Sequence, residues 1–136
     1  MKYINKLNYV DEAEKAIKGL IEKDKRGNER IKLTTSKIRN ILMMVSDLYN
    51  EAIRVKGEKL DEDIVSRTKY MKMRLVYEIG RDKADRGKSG VEQFAEKAHL
   101  LDIIDSIGDK REDLILFCNY MEALVSYHKY YGGKDK

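Results

Sequence analysis

Apolar residues recur along this chain three and four positions apart, the repeat of a helix with one buried face. The first such segment, from about Asp11 to Lys25, puts Ala13, Ala16, Ile17, Leu20 and Ile21 on one side. The charged stretch KRGNERIK that follows reads as a loop around Gly27 and Asn28. A second helix begins near Thr35, with Thr34 or Thr35 as a hydroxyl cap, and turns Ile38, Ile41, Leu42, Val45, Leu48, Tyr49 and Ala52 inward before Gly57 stops it. A third opens on Asp61, Glu62 and Asp63, whose charge suits the positive end of a helix dipole. Its buried stripe is Val65, Thr68, Met71, Leu75, Val76 and Ile79, and Gly80 is its expected terminator. RDKADRGKSG, polar and with two glycines, is expected to be the most mobile loop. A fourth helix spans about Ser89 to Ile107, with Val91, Phe94, Ala95, Ala98, Leu101, Ile104 and Ile107 inward. Gly108 ends it and Asp109 caps the last helix. That helix buries Leu114, Phe117, Cys118, Met121, Leu124, Val125 and His128, stops at Gly132 and Gly133, and leaves a KDK tail expected to fray.

No stretch alternates at period two for long enough to propose a sheet, and the 136 residues include no proline to force a helix break. The expected fold is therefore all-α, a compact bundle of about five helices forming a single domain over residues 1–136.

Composition narrows the chemistry. Lys and Arg number 28 and Asp plus Glu 24, so the net charge is 28 − 24 = +4, a mild excess that permits a polyanionic partner. The one cysteine, Cys118, has no partner for a disulfide or a zinc motif, and it reads as a small buried hydrophobe with a slow thiol. His99 and His128 fall in different helices without metal-ligand spacing, and no phosphate-binding glycine loop or nucleophile elbow occurs. No enzymatic role, metal or cofactor is expected. The first residues lack a signal-peptide apolar core, and no apolar run approaches the ~18 residues of a membrane span, so the expected location is the cytoplasm, with no membrane partner.

The third helix carries Arg67, Tyr70, Arg74, Tyr77 and Arg81 at offsets that make one stripe of alternating arginine and tyrosine. From Ile64 to Lys83, six bases (Arg67, Lys69, Lys72, Arg74, Arg81, Lys83) face two acids (Glu78, Asp82); 6 − 2 = +4 equals the excess of the whole chain. Arginine forks match phosphate oxygens and tyrosine faces stack on unpaired bases. The same pattern also suits rings and cations bordering a core, or a merely solvated face. Lys37 and Arg39, just after Thr34, Thr35 and Ser36, could meet phosphate at a helix start, or the hydroxyls could simply cap. Tyr127, Lys129, Tyr130 and Tyr131 gather rings and charge at the end of the last helix, where they could equally pack over the bundle's end. The candidate polyanion contacts are thus Lys37, Arg39, Arg67, Lys72, Arg74, Tyr77, Arg81 and Lys129.

The segments LTTSKIRNILMMVSDLY, KMRLVYEIGRD and FCNYMEALVSYHKYYGG, in this order and spacing, resemble the Csm-type small subunit of type III-A CRISPR–Cas effector complexes. The resemblance runs from about Ile31 to Gly133, making residues 31–133 a family-like helical core and about 1–30 a variable N-terminal helix and loop. Its motif positions here are Thr34, Thr35, Lys37, Ile38 and Arg39; Arg74, Tyr77, Gly80 and Arg81; and Phe117, Tyr120, Met121, Glu122, Tyr127, His128 and Lys129. The resemblance implies a non-catalytic helical protein of antiviral defence that multimerises along a ribonucleoprotein filament. It also implies guide RNA, target RNA, and the backbone and large subunits of the complex as partners. The competing expectation is a protein-interaction adaptor whose Arg and Tyr stripe anchors another protein, since both residues are enriched at binding hot spots.

Overall fold

The computed structural model describes residues 1–83 and 89–132. Its elements in order are α1 (Tyr9–Lys18), β1 (Ile21–Lys23), β2 (Glu29–Ile31), α2 (Thr35–Ala52), α3 (Glu62–Arg81), α4 (Gly90–Lys97), α5 (Leu100–Ile107) and α6 (Arg111–Tyr130). The fold is an all-α bundle. The expected mobile loop falls largely on 84–88, and the expected stop at Gly133 and the KDK tail fall beyond 132, outside the described residues.

Helix α6 is the axis. It packs against α1, α2 and α5, and it buries Leu114, Phe117, Cys118, Tyr120, Met121, Leu124 and His128. It runs antiparallel to α2: Arg111 Nε donates to the Ala52 carbonyl at 2.9 Å, the Cys118 thiol approaches the Val45 carbonyl at 3.8 Å, and His128 Nε2 meets the Leu33 carbonyl at 2.7 Å. Arg111 thereby gives the Ala52 carbonyl at the end of α2 a second donor beside the Val55 amide at 3.2 Å. A carbonyl only accepts, so His128 Nε2 carries the hydrogen. Burial pushes the Cys118 thiol up to about 12, as expected of an inert core cysteine. Helix α3 lies outside this group, against α2, α4 and α5.

The hydroxyl cap read from the sequence holds at α2, and one member of the acidic triplet caps α3. Thr34 accepts from the Lys37 amide at 3.3 Å, and Asp61 accepts from the Ile64 amide at 2.9 Å. Ser89 does the same for α4, from the Glu92 amide at 3.1 Å. Gly90, next to it, lies so close to the backbone of Leu33 that an added Cβ would stand 2.8 Å from the Leu33 nitrogen. Only glycine lets α4 begin there.

Several expectations are corrected. The first helix stops at Lys18, and residues expected to be helix and loop form a small antiparallel hairpin, with Ile21 opposite Ile31. Its turn is built by Asp24, whose carboxylate accepts from the amides of Arg26 and Asn28 at 2.8 and 2.9 Å, and by Gly27 at φ 83°. The strands are three residues each, too short to show a period of two. The fourth helix is two helices. His99, at φ 55°, breaks it, and its ring stacks on Tyr3 with centroids 3.8 Å apart. The Tyr120 hydroxyl donates to the Ala98 carbonyl at 3.0 Å, the carbonyl this break exposes. The break re-aims the following residues, so Leu100 and Ile103 are buried and Leu101 is only half-buried. Lys110, not Asp109, occupies the N-cap of α6. Gly80 does not terminate α3, which continues to Arg81 with Asp82 as its C-cap. Val76 is exposed, while Leu42, Tyr49, Val65, Ile79 and Val125 are half-buried.

Candidate nucleic-acid interface

Helices α2 and α3 are antiparallel neighbours, and two rows of side chains line their seam. Residues seven apart on a helix drift only about 20° around its axis, so Lys37, Met44 and Glu51 form one row of α2 and Arg67, Arg74 and Arg81 one row of α3. The rows meet at both ends through carboxylates. Glu51 pairs with Arg67, and Asp82, next to Arg81, pairs with Lys37. The other Asp82 oxygen accepts from the Val91 amide at 3.1 Å, so one carboxylate ties α2, α3 and α4 together. Between these clamps Arg74 has no carboxylate partner among the described residues; its guanidinium sits 5.3 Å from the centroid of the Tyr77 ring. A groove of about 270 Å³ opens beside it, with Met44, Leu48 and Met71 at its base and Asp47, Arg67, Tyr70 and Arg74 around them.

The other candidates distribute as follows. Lys72 reaches the Asp105 carboxylate of α5 at 2.5 Å. Arg81 lies 3.5 Å from Glu78 on its own helix. Arg39 is exposed, two residues and so roughly 200° around α2 from Lys37, on the flank away from α3. Lys129 is exposed at the end of α6, beside the start of α2 because its neighbour His128 holds the Leu33 carbonyl. Two groups result: Lys37, Arg81 and Lys129 gather at one end of the bundle, and Arg67, Arg74 and Tyr77 continue along α3. Arg39 and Lys72 stand apart from the seam.

The stripe is real, but its charge is not all available. Glu51, Asp105 and Glu78 balance Arg67, Lys72 and Arg81, and the first two lie 16 and 33 positions away in sequence. Exposed pairs of this kind are worth only about 0–1 kcal/mol, so a phosphate can displace the carboxylate. Tyr131 turns out to be a packing residue: its hydroxyl donates to Glu14 at 2.6 Å, and Lys18 lies 5.8 Å from its ring, binding α1 to the end of α6. Sequence reasoning missed Asp82 as the counter-charge of Lys37. Their separation of 45 positions leaves no local signal.

Among the described residues, no group of three or more His, Cys, Asp or Glu side chains could hold a metal ion, and no helix is long and apolar enough to cross a membrane.

The family model described as Csm2 Type III-A matches residues 6–134. A protein named "CRISPR system Cms protein Csm2" from Streptococcus thermophilus is 47% identical over 128 residues, 94% of each chain. Its namesake from Mycobacterium tuberculosis (strain CDC 1551 / Oshkosh) is 39% identical over 129 residues, 95% of each. A third, from Enterococcus italicus, is 35% identical over 115 residues, 80% of this chain and 78% of that one.

Proposed function

Because the chain belongs to the Csm2 family of type III-A CRISPR systems, we propose that it is a small subunit that multimerises along the guide RNA filament of the effector complex and holds guide and target RNA by their backbones. As a member of this family it is non-catalytic. The proposal includes the backbone and large subunits as protein partners, a cytoplasmic setting and a part in antiviral defence.

The observation that carries the reading is the arginine row of α3, exposed along its length, with Arg74 lacking a carboxylate and lying over a tyrosine ring. Arginine forks meet phosphates in any sequence, and Tyr70 and Tyr77, also exposed, offer faces to unpaired bases. Arg39 and Lys129 extend the cationic surface around the bundle end, and Lys37, Arg67, Lys72 and Arg81 exchange a carboxylate for phosphate. Guide–target pairing supplies sequence choice elsewhere, so contacts blind to sequence are what such a subunit needs.

The test is filter binding of the assembled complex across a salt series, with two unrelated targets and their matching guides. With about three phosphates met per copy, the log–log slope is roughly −2 per copy, and Arg74→Ala with Arg81→Ala flattens it by roughly 1.4. Both targets are captured less well and the melting temperature is unchanged. A double variant that captures both targets normally but no longer joins the complex overturns this reading in favour of the adaptor.

A further inference from the structure

The side of α3 turned away from α2 carries a different row. Lys69, Met73, Val76 and Gly80 follow one another at spacings of four, three and four, roughly 130° around the helix from the arginines. Met73 is 56% exposed and Val76 47%. Lys69 has no partner among the described residues, unlike Lys72 beside it, which is taken by Asp105. Gly80 sits inside the last turn of the helix, and a Cβ built on it meets nothing within 4 Å. The fold of this chain therefore makes no demand for glycine there, although glycine weakens a helix.

A second exposed apolar row lies on α1 and the turn before it. Leu7 is 93% exposed and Val10 41%, and Asp11, exposed and without a partner among the described residues, completes the row. The turn is held rigidly. The Asn5 carboxamide accepts from the amides of Leu7 and Asn8 at 2.8 and 2.9 Å, and the Asn8 carboxamide accepts from the Asn5 amide at 2.7 Å. A leucine fixed in water by three hydrogen bonds gains nothing for its own chain, and its fixed position lowers the entropy lost when something covers it.

We propose that these two rows are the two halves of one contact: Leu7, Val10 and Asp11 of one copy seat on Met73, Val76 and Lys69 of the next. The complementarity is of both kinds, apolar against apolar and Asp11 against Lys69. Helix α1 packs on α6 and α4 while α3 packs on α2, α4 and α5, so the rows belong to different faces. A contact between unlike faces is heterologous and adds copies head to tail, where a contact of like faces closes at two. The inference rests on the multimerising reading above and names its surfaces. It leaves the arginine row of every copy open along α3. Each contact is small, and a filament multiplies it.

The experiment is sedimentation of the full chain from micromolar to millimolar concentration. The wild type grows beyond a dimer as concentration rises. Leu7→Glu and Met73→Glu each weaken association roughly tenfold or more, with melting curves unchanged. Mixed together they form one-to-one dimers and no larger species, because each supplies the face the other has lost. Lys69→Asp and Asp11→Lys, gentler changes for the case in which a glutamate disturbs folding, each weaken association by about two- to fivefold and restore it when combined in one chain. A wild type that stays monomeric throughout, or variants that associate like the wild type, overturns the proposal. RNA capture by the Met73→Glu chain separates the two ideas. RNA held by a chain that no longer associates supports both rows as distinct. An unchanged salt slope and unchanged RNA capture in the Arg74→Ala, Arg81→Ala chain, with association intact, counts against the RNA reading alone.

Discussion

Helices α3 and α6 each run for 20 residues, but α6 turns Leu114, Leu116, Phe117, Cys118, Tyr120, Met121, Leu124 and His128 into the core, where α3 turns in only Ile64, Thr68, Met71 and Leu75. Apart from Tyr130 at its exposed end, the large side chains of α6 are explained by what they touch within the chain. Those of α3 are not: Tyr70, Met73, Val76 and Tyr77 stay exposed although each would gain from burial. A helix whose sequence exceeds what its own fold uses is the place to look for partners. The difference marks α6 as the centre of the core and agrees with the proposal that α3 meets partners.

The largest effect that tests this contrast is Phe117→Asp. An unpaired carboxylate in the core costs several kcal/mol against a total stability of about 5–15, so the chain should lose its cooperative melting transition. Tyr70→Asp on α3 should leave the melting curve within about 0.5 kcal/mol of the wild type. Equal damage from both would erase the distinction. Next in size is Tyr120→Phe, which leaves the Ala98 carbonyl without its hydroxyl donor and should cost about 1–2 kcal/mol in denaturant unfolding. On α3 the sign should reverse. Gly80→Ala should raise stability by about 0.5–1 kcal/mol, since the position is helical and open. If it is destabilising, the fold itself needs that glycine.

The smallest effect is a pH dependence. Burial is the main cause that holds His128 below the ordinary histidine range, with Lys129 adding to it and the Leu33 carbonyl opposing. The folded pKa is thus below the unfolded one of about 6.5. The contribution of His128 is fully present above that value and is lost as pH falls below it and through the lower folded pKa, because the unfolded chain takes up the proton first. The melting temperature should drop between pH 7 and pH 5, and less so in His128→Gln.

Much of this was legible in the residues. The inward faces of α2 and α6 follow from apolar spacing, Thr34 caps as its type and position require, and α3 opens on the acidic triplet as expected. What was not legible depends on distant partners. Nothing about His99 marks it as a helix breaker; Tyr3, 96 positions earlier, meets its ring at the break. Periodicity locates the centre of a buried stripe but not its width, so Val76 fell on the wrong side of the line. The stripe of arginines on α3 was visible, but the carboxylate that balances Arg67 comes from α2, as the one on nearby Lys72 comes from α5.

The central place of α6 also sets the order in which the molecule can be completed during synthesis. Helix α1 leaves the ribosome about a hundred residues before α6, yet α6 is a main packing partner of both α1 and α2. At about 5–20 residues per second, the apolar faces of the first two helices wait roughly 5–20 s for the one that covers them. The nascent chain is therefore a substrate for holding chaperones until its last helix emerges, and a message that ends early yields a fragment with its stickiest surfaces bare.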